Sequence, residues 1–492
     1  MTGNEAVRGL SFPHLKSAFT SFYVGNYAPL HIVSYMLDYM LWGMNPKGYL
    51  ITNIIIHSCN GYLAYRLFFR LDGRQAVAFL AALIFVLHPV QVESVAWVTE
   101  RKTLLAMFFS LLTLHAYVSC KYAESGARRR WFLVALIACI AALLSKAVAV
   151  VVPLIIVAYD WYDDGQKWEW KEYVNKIPFF LAAIALSVIT VVSQRSADSV
   201  LPYLSNSPIN NVMTMMSVFC RYLGIIFWPT DLAPIYKPPI KTALDMEVLI
   251  SFMVLAFILI TGIYLLHRRK LAGFALTVFL LGLLPVSHIF PLPTLMQDRY
   301  LYFPLLGFSL CIVVAITDLA KRQFGENSFK FVMAAFLICS VLLSYNSYKQ
   351  AGIWRNSETL WAHTVKVVPQ SKQAWIMLST TRHELKDLAG AEDSYLHLLA
   401  IAPKDNTGLN GIGTLYGEKG EMEKSLFYLR KAVEVYPNDS GSLVNLGYAA
   451  FLHGELKEAM DSFNHALAIN PELSTKLLPV INEIASRRGN KP

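Results

Sequence analysis

Apolar and polar residues divide this chain into two unlike parts. Up to about residue 346, long apolar runs alternate with short charged links. The runs fall at about 48–70, 76–92, 100–120, 131–144, 147–160, 177–193, 212–229, 247–266, 271–290, 300–320 and 329–346. Many approach the ~20 residues that a helix needs to cross a bilayer. Basic residues cluster at Arg70/Arg74, Lys121/Arg128–Arg130, His267–Lys270 and Lys321/Arg322/Lys330. Placing all four clusters on the cytoplasmic side puts 87–102, 290–299 and everything after 346 outside. Five apolar segments lie between Arg130 and His267, and an odd number cannot return to the same side. One is therefore half-length, re-entrant or fused with a neighbour. The 131–160 stretch, interrupted by Ser145, Lys146 and Pro153, is the first suspect. The 212–229 stretch, which carries Arg221 and Tyr222, is the second. About ten crossings are expected.

Beyond 346 the pattern changes to amphipathic helix pairs. Pro369, Pro403, Pro437 and Pro471 recur every 34 residues. Small and large residues alternate between them, as in Gly447, Ala459, Phe463 and Ala466. This is the signature of tetratricopeptide repeats, stacked helix pairs with a groove for a partner. The fold class is all-α, a polytopic membrane bundle followed by a repeat solenoid. The expected domains are an outer loop with short helices at 1–47, the membrane domain at 48–346, and a linking helix or partial repeat at 347–371. Three repeats at 372–471 and a capping helix and tail at 472–492 complete the chain.

Composition agrees: 55% of residues are hydrophobic and 16% charged, with a formal net charge of +9. Residues 349–492 hold 16 basic and 16 acidic side chains, so the excess belongs to the membrane part. It serves topology and lipid headgroups and gives no case for nucleic acid. The six cysteines lie in or beside apolar runs and form no CxxC pair, which suits small buried side chains. Phosphate-binding P-loop, HExxH and GxSxG motifs are absent from the sequence.

The chemistry-bearing stretch is LHPVQVESVAWVTERK, from Leu87 to Lys102. His88, Glu93, Glu100, Arg101 and Lys102 crowd between two lipid-length helices, where charge needs solvent, a partner or a substrate. Lys146, Arg221 and the Asp298-Arg299-Tyr300 string are further ionisable or polar groups at similar depth. Each also has a structural reading. Arg101 and Lys102 could be flanking anchors, Glu93 a satisfied carboxylate, and Asp298–Arg299 a clip. Lys146 could be a snorkelling side chain, Arg221 half of a salt bridge, and Tyr300 an interface aromatic.

These stretches carry a resemblance. YAPLHIVSYMLDYMLWGMNPKGYLITNIIIH (27–57), FVLHPVQVESVAWVTERKTLLA (85–106), LLSKAVAVVVPLIIVAYDW (143–161), DRYLYFPLLG (298–307) and WRNSETLW (354–361) resemble animal transmembrane-and-TPR O-mannosyltransferases. Those are integral-membrane glycosyltransferases that use lipid-phosphate sugars. The resemblance implies a polyprenyl phosphate sugar donor and a hydroxyl acceptor, often on a polypeptide. It implies transfer at the outer face of a bacterial inner membrane, with the repeats in the periplasm. Glu93 and Asp298 are the expected catalytic residues, positioning the acceptor or binding a divalent cation. His88, Arg101, Lys102, Lys146, Arg221, Arg299 and Tyr300 are expected to bind substrate. Such proteins begin with a spanning helix and an acidic outer loop, and Met1-Thr2-Gly3-Asn4 resembles the segment just after that motif. A first helix and acidic loop are thus expected upstream. The alternatives are a non-enzymatic scaffold working through its repeats, or a transporter of lipid-linked sugar. The sugar-transfer reading requires residues 88–102 and 298–300 to share one outward pocket.

Overall fold

The computed structural model describes residues 7–23, 25–164, 173–196 and 202–489. The Met1–Asn4 segment singled out above lies outside the described residues. The chain forms two compact units, Met1–Trp354 and Arg355–Pro492.

The first unit is all-helical. Two short helices, α1 (Phe12–Thr20) and α2 (Pro29–Trp42), precede α3 (Pro46–Asp72). Then come α4 (Gln75–Leu87), α5 (Val92–Ala96), α6 (Arg101–Tyr122), α7 (Ser125–Ser145) and α8 (Val152–Asp164). The unit closes with α9 (Ile177–Arg195), α10 (Pro208–Phe227), α11 (Met246–His267), α12 (Leu271–Leu283), α13 (Pro304–Phe324) and α14 (Ser328–Ile353).

Among the described residues, six helices are long and apolar enough to cross a membrane. The number rises to seven if α4 and the segment Pro89–Ala96, bent by 52°, count as one span. This falls short of the expected ten or so, for local reasons. On α3, Asn53, His57 and Asn60 put amide and imidazole groups along one buried face. That face is polar because it is pinned to its neighbours: Asn53 Nδ2 donates to Val95 O at 3.0 Å and Asn60 Nδ2 to Leu104 O at 3.0 Å. The apolar part of α7 starts only after Arg128–Arg130 and stops at Ser145, and α8 is 13 residues long. The break expected at 131–160 is an extended residue, Lys146, followed by a 3₁₀ turn, Ala147–Val151. The second suspect, 212–229, is instead a continuous 20-residue helix.

Close packing fixes the rest. A Cβ on Gly307 of α13 would lie 2.4 Å from the Phe279 backbone nitrogen, so only glycine lets α13 approach α12 this closely. The α4–α5 bend is built by His88, whose ring Nδ1 accepts from Val90 N at 3.4 Å ahead of Pro89. That turn aims α5, with Glu93, across the bundle end.

The second unit is a run of antiparallel helix pairs. After α15 (Ser357–Val367) come α16 (Lys372–Glu384) and α17 (Leu388–Ile401), α18 (Asn406–Glu418) and α19 (Met422–Val435), then α20 (Ser440–His453) and α21 (Leu456–Ile469). A last helix, α22 (Ser474–Gly489), contains Pro479. The first helices of the pairs are capped by Ser371, Asp405 and Asp439, each accepting from a backbone N–H in the first turn. Gly447 faces Phe463, where a Cβ would sit 2.6 Å from the ring. Small residues opposite large ones are what let such pairs close.

Candidate functional site

Residues 93–103 and 298–300 meet at one end of the membrane unit. The link is Arg299, held in a 3₁₀ turn (Asp298–Leu301) just before α13. Its Nη1 lies 2.5 Å from Glu93 Oε1, and its backbone N–H donates to Glu93 Oε2 at 2.8 Å. Its Nε lies 3.3 Å from Glu100 Oε1. The guanidinium also sits 4.8 Å from the Trp97 ring centre and 5.6 Å from that of Tyr300.

Glu100 is buried and collects further cations. Lys146 Nζ is 2.9 Å from its Oε2, and Lys102 Nζ is 3.3 Å from its Oε1. The Thr103 hydroxyl donates to Oε2 at 2.7 Å, and Lys146 donates to the same hydroxyl at 2.7 Å. The sequence reading named Glu100 in the polar patch but gave it no role, and it missed Thr103. The signal was available: with Thr103 three residues after Glu100 at the start of α6, the hydroxyl can reach back to the carboxylate.

A cavity of about 610 Å³ opens onto this cluster. Glu100, Lys102, Thr103, Lys146, Arg299 and Tyr300 line its polar part. Aliphatic and aromatic side chains, among them Val150, Leu154, Val191, Ile289, Phe290 and Phe303, line most of the remainder, with Ser187, Thr190, Gln194 and Thr294 between them. Asn26, Tyr27 and Ala28 contribute from the loop before α2. The loop 286–299 folds over one side and is organised by His288, whose Nδ1 accepts from Leu292 N and whose Nε2 lies 3.1 Å from Thr294 O. The Thr294 hydroxyl in turn bonds the Tyr300 hydroxyl at 2.9 Å. Three cations face two carboxylates here, Glu93 and Glu100, so the cluster carries an excess of positive charge. That favours an anion. Burial, followed by the charge of Lys102, also pushes the nearby His31 down to about 3, so it stays neutral.

The other predicted residues are placed differently. Arg101 is fully buried and faces away from the cavity, 2.5 Å from Asp38. It donates to Asn53 Oδ1 and Tyr49 O, both at 2.8 Å, and lies over the Tyr35 ring at 4.9 Å. These contacts make it a structural tie, set apart from the residues that line the cavity. His88 is buried in the bend, its Nε2 2.9 Å from Ile226 O. Arg221 lies half-exposed on α10, paired with Glu247 at 2.9 Å in the first turn of α11, outside the cavity. Glu93 is buried beneath Arg299 and does not line the cavity. Asp298 is also buried and accepts from the Tyr236 hydroxyl at 2.6 Å. Burial, with Glu93 nearby, holds its carboxyl well above the usual range. Among the described residues, no group of three or more His, Cys, Asp or Glu side chains is arranged to hold a metal ion. The carboxylates named for a divalent cation are instead occupied by Arg299 and Tyr236.

Comparison with known proteins gives the same two-part picture. A tetratricopeptide-repeat family profile matches residues 410–474. Human protein O-mannosyl-transferase TMTC3 is 22% identical over 493 residues, covering 91% of this chain and 49% of that protein. The Caenorhabditis elegans protein O-mannosyl-transferase F38B6.6 is 23% identical, covering 77% of this chain and 54% of that protein. Crystal structures of MamA align with about a third of the chain, one at 15% identity with a TM-score of 0.22, covering 34% of this chain and 92% of MamA. The chain spans about half the length of the curated relatives it matches. The chain is thus distantly similar to proteins named protein O-mannosyl-transferases.

Proposed function

We propose that this chain is a membrane glycosyltransferase of the lipid-phosphate-sugar class. Its donor is a polyprenyl phosphate hexose, most simply mannose. Its acceptor is a hydroxyl, on a polypeptide brought in by the repeats. Transfer takes place at the periplasmic face of a bacterial inner membrane. The observation that carries this reading is the make-up of the cavity: a cationic end continuous with an apolar wall. A phosphate attached to a lipid chain has the same two halves. Its distant relatives are named O-mannosyl-transferases, which supports the class.

In the reaction the acceptor oxygen bonds to the anomeric carbon with inversion. The bond from that carbon to the phosphate oxygen breaks, and its electron pair leaves on the polyprenyl phosphate. The acceptor's proton passes to the departing phosphate, which leaves as a monoester able to hold it, with a second pKa of about 6. Lys102, Lys146 and Arg299 stabilise the charge that develops on the departing phosphate. Glu93 holds Arg299 in place, and Asp298 secures the turn that presents it.

A non-catalytic scaffold is the second reading, and one observation favours it. Glu93 and Glu100, the carboxylates of this cluster, are already engaged by cations. Purified full chain incubated with radiolabelled polyprenyl phosphate sugars and periplasmic extract decides between them. Label transfer should occur and should fall roughly 100-fold in Lys146→Met, the size expected for losing one donor to a developing anion. A folded protein that transfers no sugar from any donor favours the scaffold.

A further inference from the structure

Glu100 is the carboxylate on the cavity wall, which makes it the obvious candidate for taking the acceptor's proton. Its contacts argue otherwise. A carboxylate offers about four acceptor directions. On Oε2 these go to the Thr103 hydroxyl and Lys146 Nζ, and on Oε1 they face Lys102 Nζ and Arg299 Nε. Oε1 makes its two contacts at 3.3 Å, so a substrate hydroxyl would reach it only between Lys102 and Arg299, and a carboxylate ringed by cations is a poor proton acceptor.

The cations are in the opposite condition. Each Lys ammonium has three donors and the Arg guanidinium five. Lys146 spends two, on Glu100 and Thr103. Among the described residues Lys102 pairs with Glu100 alone, and Arg299 keeps its Nη2 after Nη1 and Nε are used. Donors therefore remain on all three cations, and all three line the cavity. They come from three separate places: the first turn of α6, the break after α7, and the turn before α13. Glu100 is where they converge. Without it, three like charges in a poorly solvated place repel one another, and the lysines are long enough to swing apart.

We propose that Glu100 is a positioning residue: it gathers Lys102, Lys146 and Arg299 into one phosphate-binding cluster and takes no proton itself. The proposal rests on reading the cavity as a lipid-phosphate site. It makes a prediction opposite in sign to simple charge counting. Glu100→Gln removes a negative charge beside the phosphate, so charge alone predicts equal or tighter binding of an anion. Positioning predicts weaker binding, because the cluster disperses.

The test titrates purified full chain with polyprenyl phosphate carrying no sugar. Glu100→Gln should bind it about tenfold more weakly, and Glu100→Asp should recover part of the loss. In transfer assays the loss should fall mainly on KM for the donor, with no limb of the pH profile removed. Unchanged or tighter phosphate binding in Glu100→Gln overturns the proposal, as does loss of kcat together with an acidic limb. Should Glu100→Gln fail to fold, Thr103→Val provides the same reading. It leaves every charge in place, loosens the hub, and should weaken binding in the same direction by a smaller factor. If wild type binds polyprenyl phosphate in a Glu100-dependent way yet transfers no sugar, the transferase reading fails and the positioning role stands. If wild type does not bind the lipid phosphate at all, both fall.

Discussion

Arg101 and Arg299 are two arginines at the same end of the membrane unit, each within reach of a buried carboxylate, and they do different work. Arg101 is closed in on all sides by Asp38, Asn53, two backbone carbonyls and two tyrosine rings. Arg299 is held by Glu93 and Glu100 on one side and faces the cavity on the other. The first arginine ties α2 and α3 to α6. The second ties the turn before α13 to α5 and α6, and leaves part of its guanidinium for a ligand. A buried ion pair becomes part of a site only where one partner keeps unused donors toward a cavity.

The largest effect expected from breaking this contrast is on folding. Arg101→Ala leaves Asp38 buried without a countercharge, with only the Thr52 hydroxyl donating to it, which should cost about 3–5 kcal/mol. The expected outcome is loss of the helical signal, or a much lower unfolding midpoint in detergent, whatever the ligand. If Arg101→Ala folds normally but loses binding of polyprenyl phosphate, the division between the two arginines is wrong.

Much of this was legible in the sequence, and what escaped has a common cause. The 34-residue proline spacing sufficed for the repeats because each pair packs mainly on its neighbours, so local periodicity fixes the structure. The break at Ser145 and Lys146 was legible because a charge interrupts an apolar run. That 88–102 and 298–300 share a pocket was an expectation, but the pairing of Glu93 with Arg299, 206 residues apart, was not legible. Arg101 and Lys102 could not be told apart from their types. They are adjacent on a helix, so they point about 100° apart, and one meets Asp38 while the other meets the cavity. Glu100 looked like an ordinary charge beside two basic residues. Its role depends on Lys146 and Arg299, which arrive from distant segments. The span count ran high because α3 carries a polar buried face, three arginines open α7, and the 147–160 run divides into a 3₁₀ turn and a 13-residue helix.

A second prediction concerns Asp298, whose turn presents Arg299. Its carboxyl is protonated in the folded protein well above the ordinary range, because it is buried beside Glu93. In the unfolded chain it ionises near pH 4. Between those two values the native state holds more protons than the unfolded state, so stability falls as pH rises. The contribution is fully present below the unfolded pKa and is lost as pH climbs through the folded one. Unfolding midpoints of the membrane unit should therefore decline with rising pH over that window. Asp298→Asn, which keeps a neutral side chain of the same shape, should flatten the decline. An equal slope in the two proteins would mean that another group sets it.

The smallest effect belongs to Arg221, which the sequence places within an apolar run. An arginine within an apolar run suggests a buried ligand contact. In the fold it points outward, and its partner Glu247 is similarly exposed and also shared with Lys241 at 2.5 Å. Exposed pairs of this kind are worth at most about 1 kcal/mol, and Lys241 remains to neutralise Glu247 when Arg221 is gone. Arg221→Gln should therefore leave polyprenyl phosphate binding unchanged and shift the unfolding midpoint little. A large loss of binding in this variant would show that α10 contributes to the anion site, and that the cluster around Glu100 is incomplete.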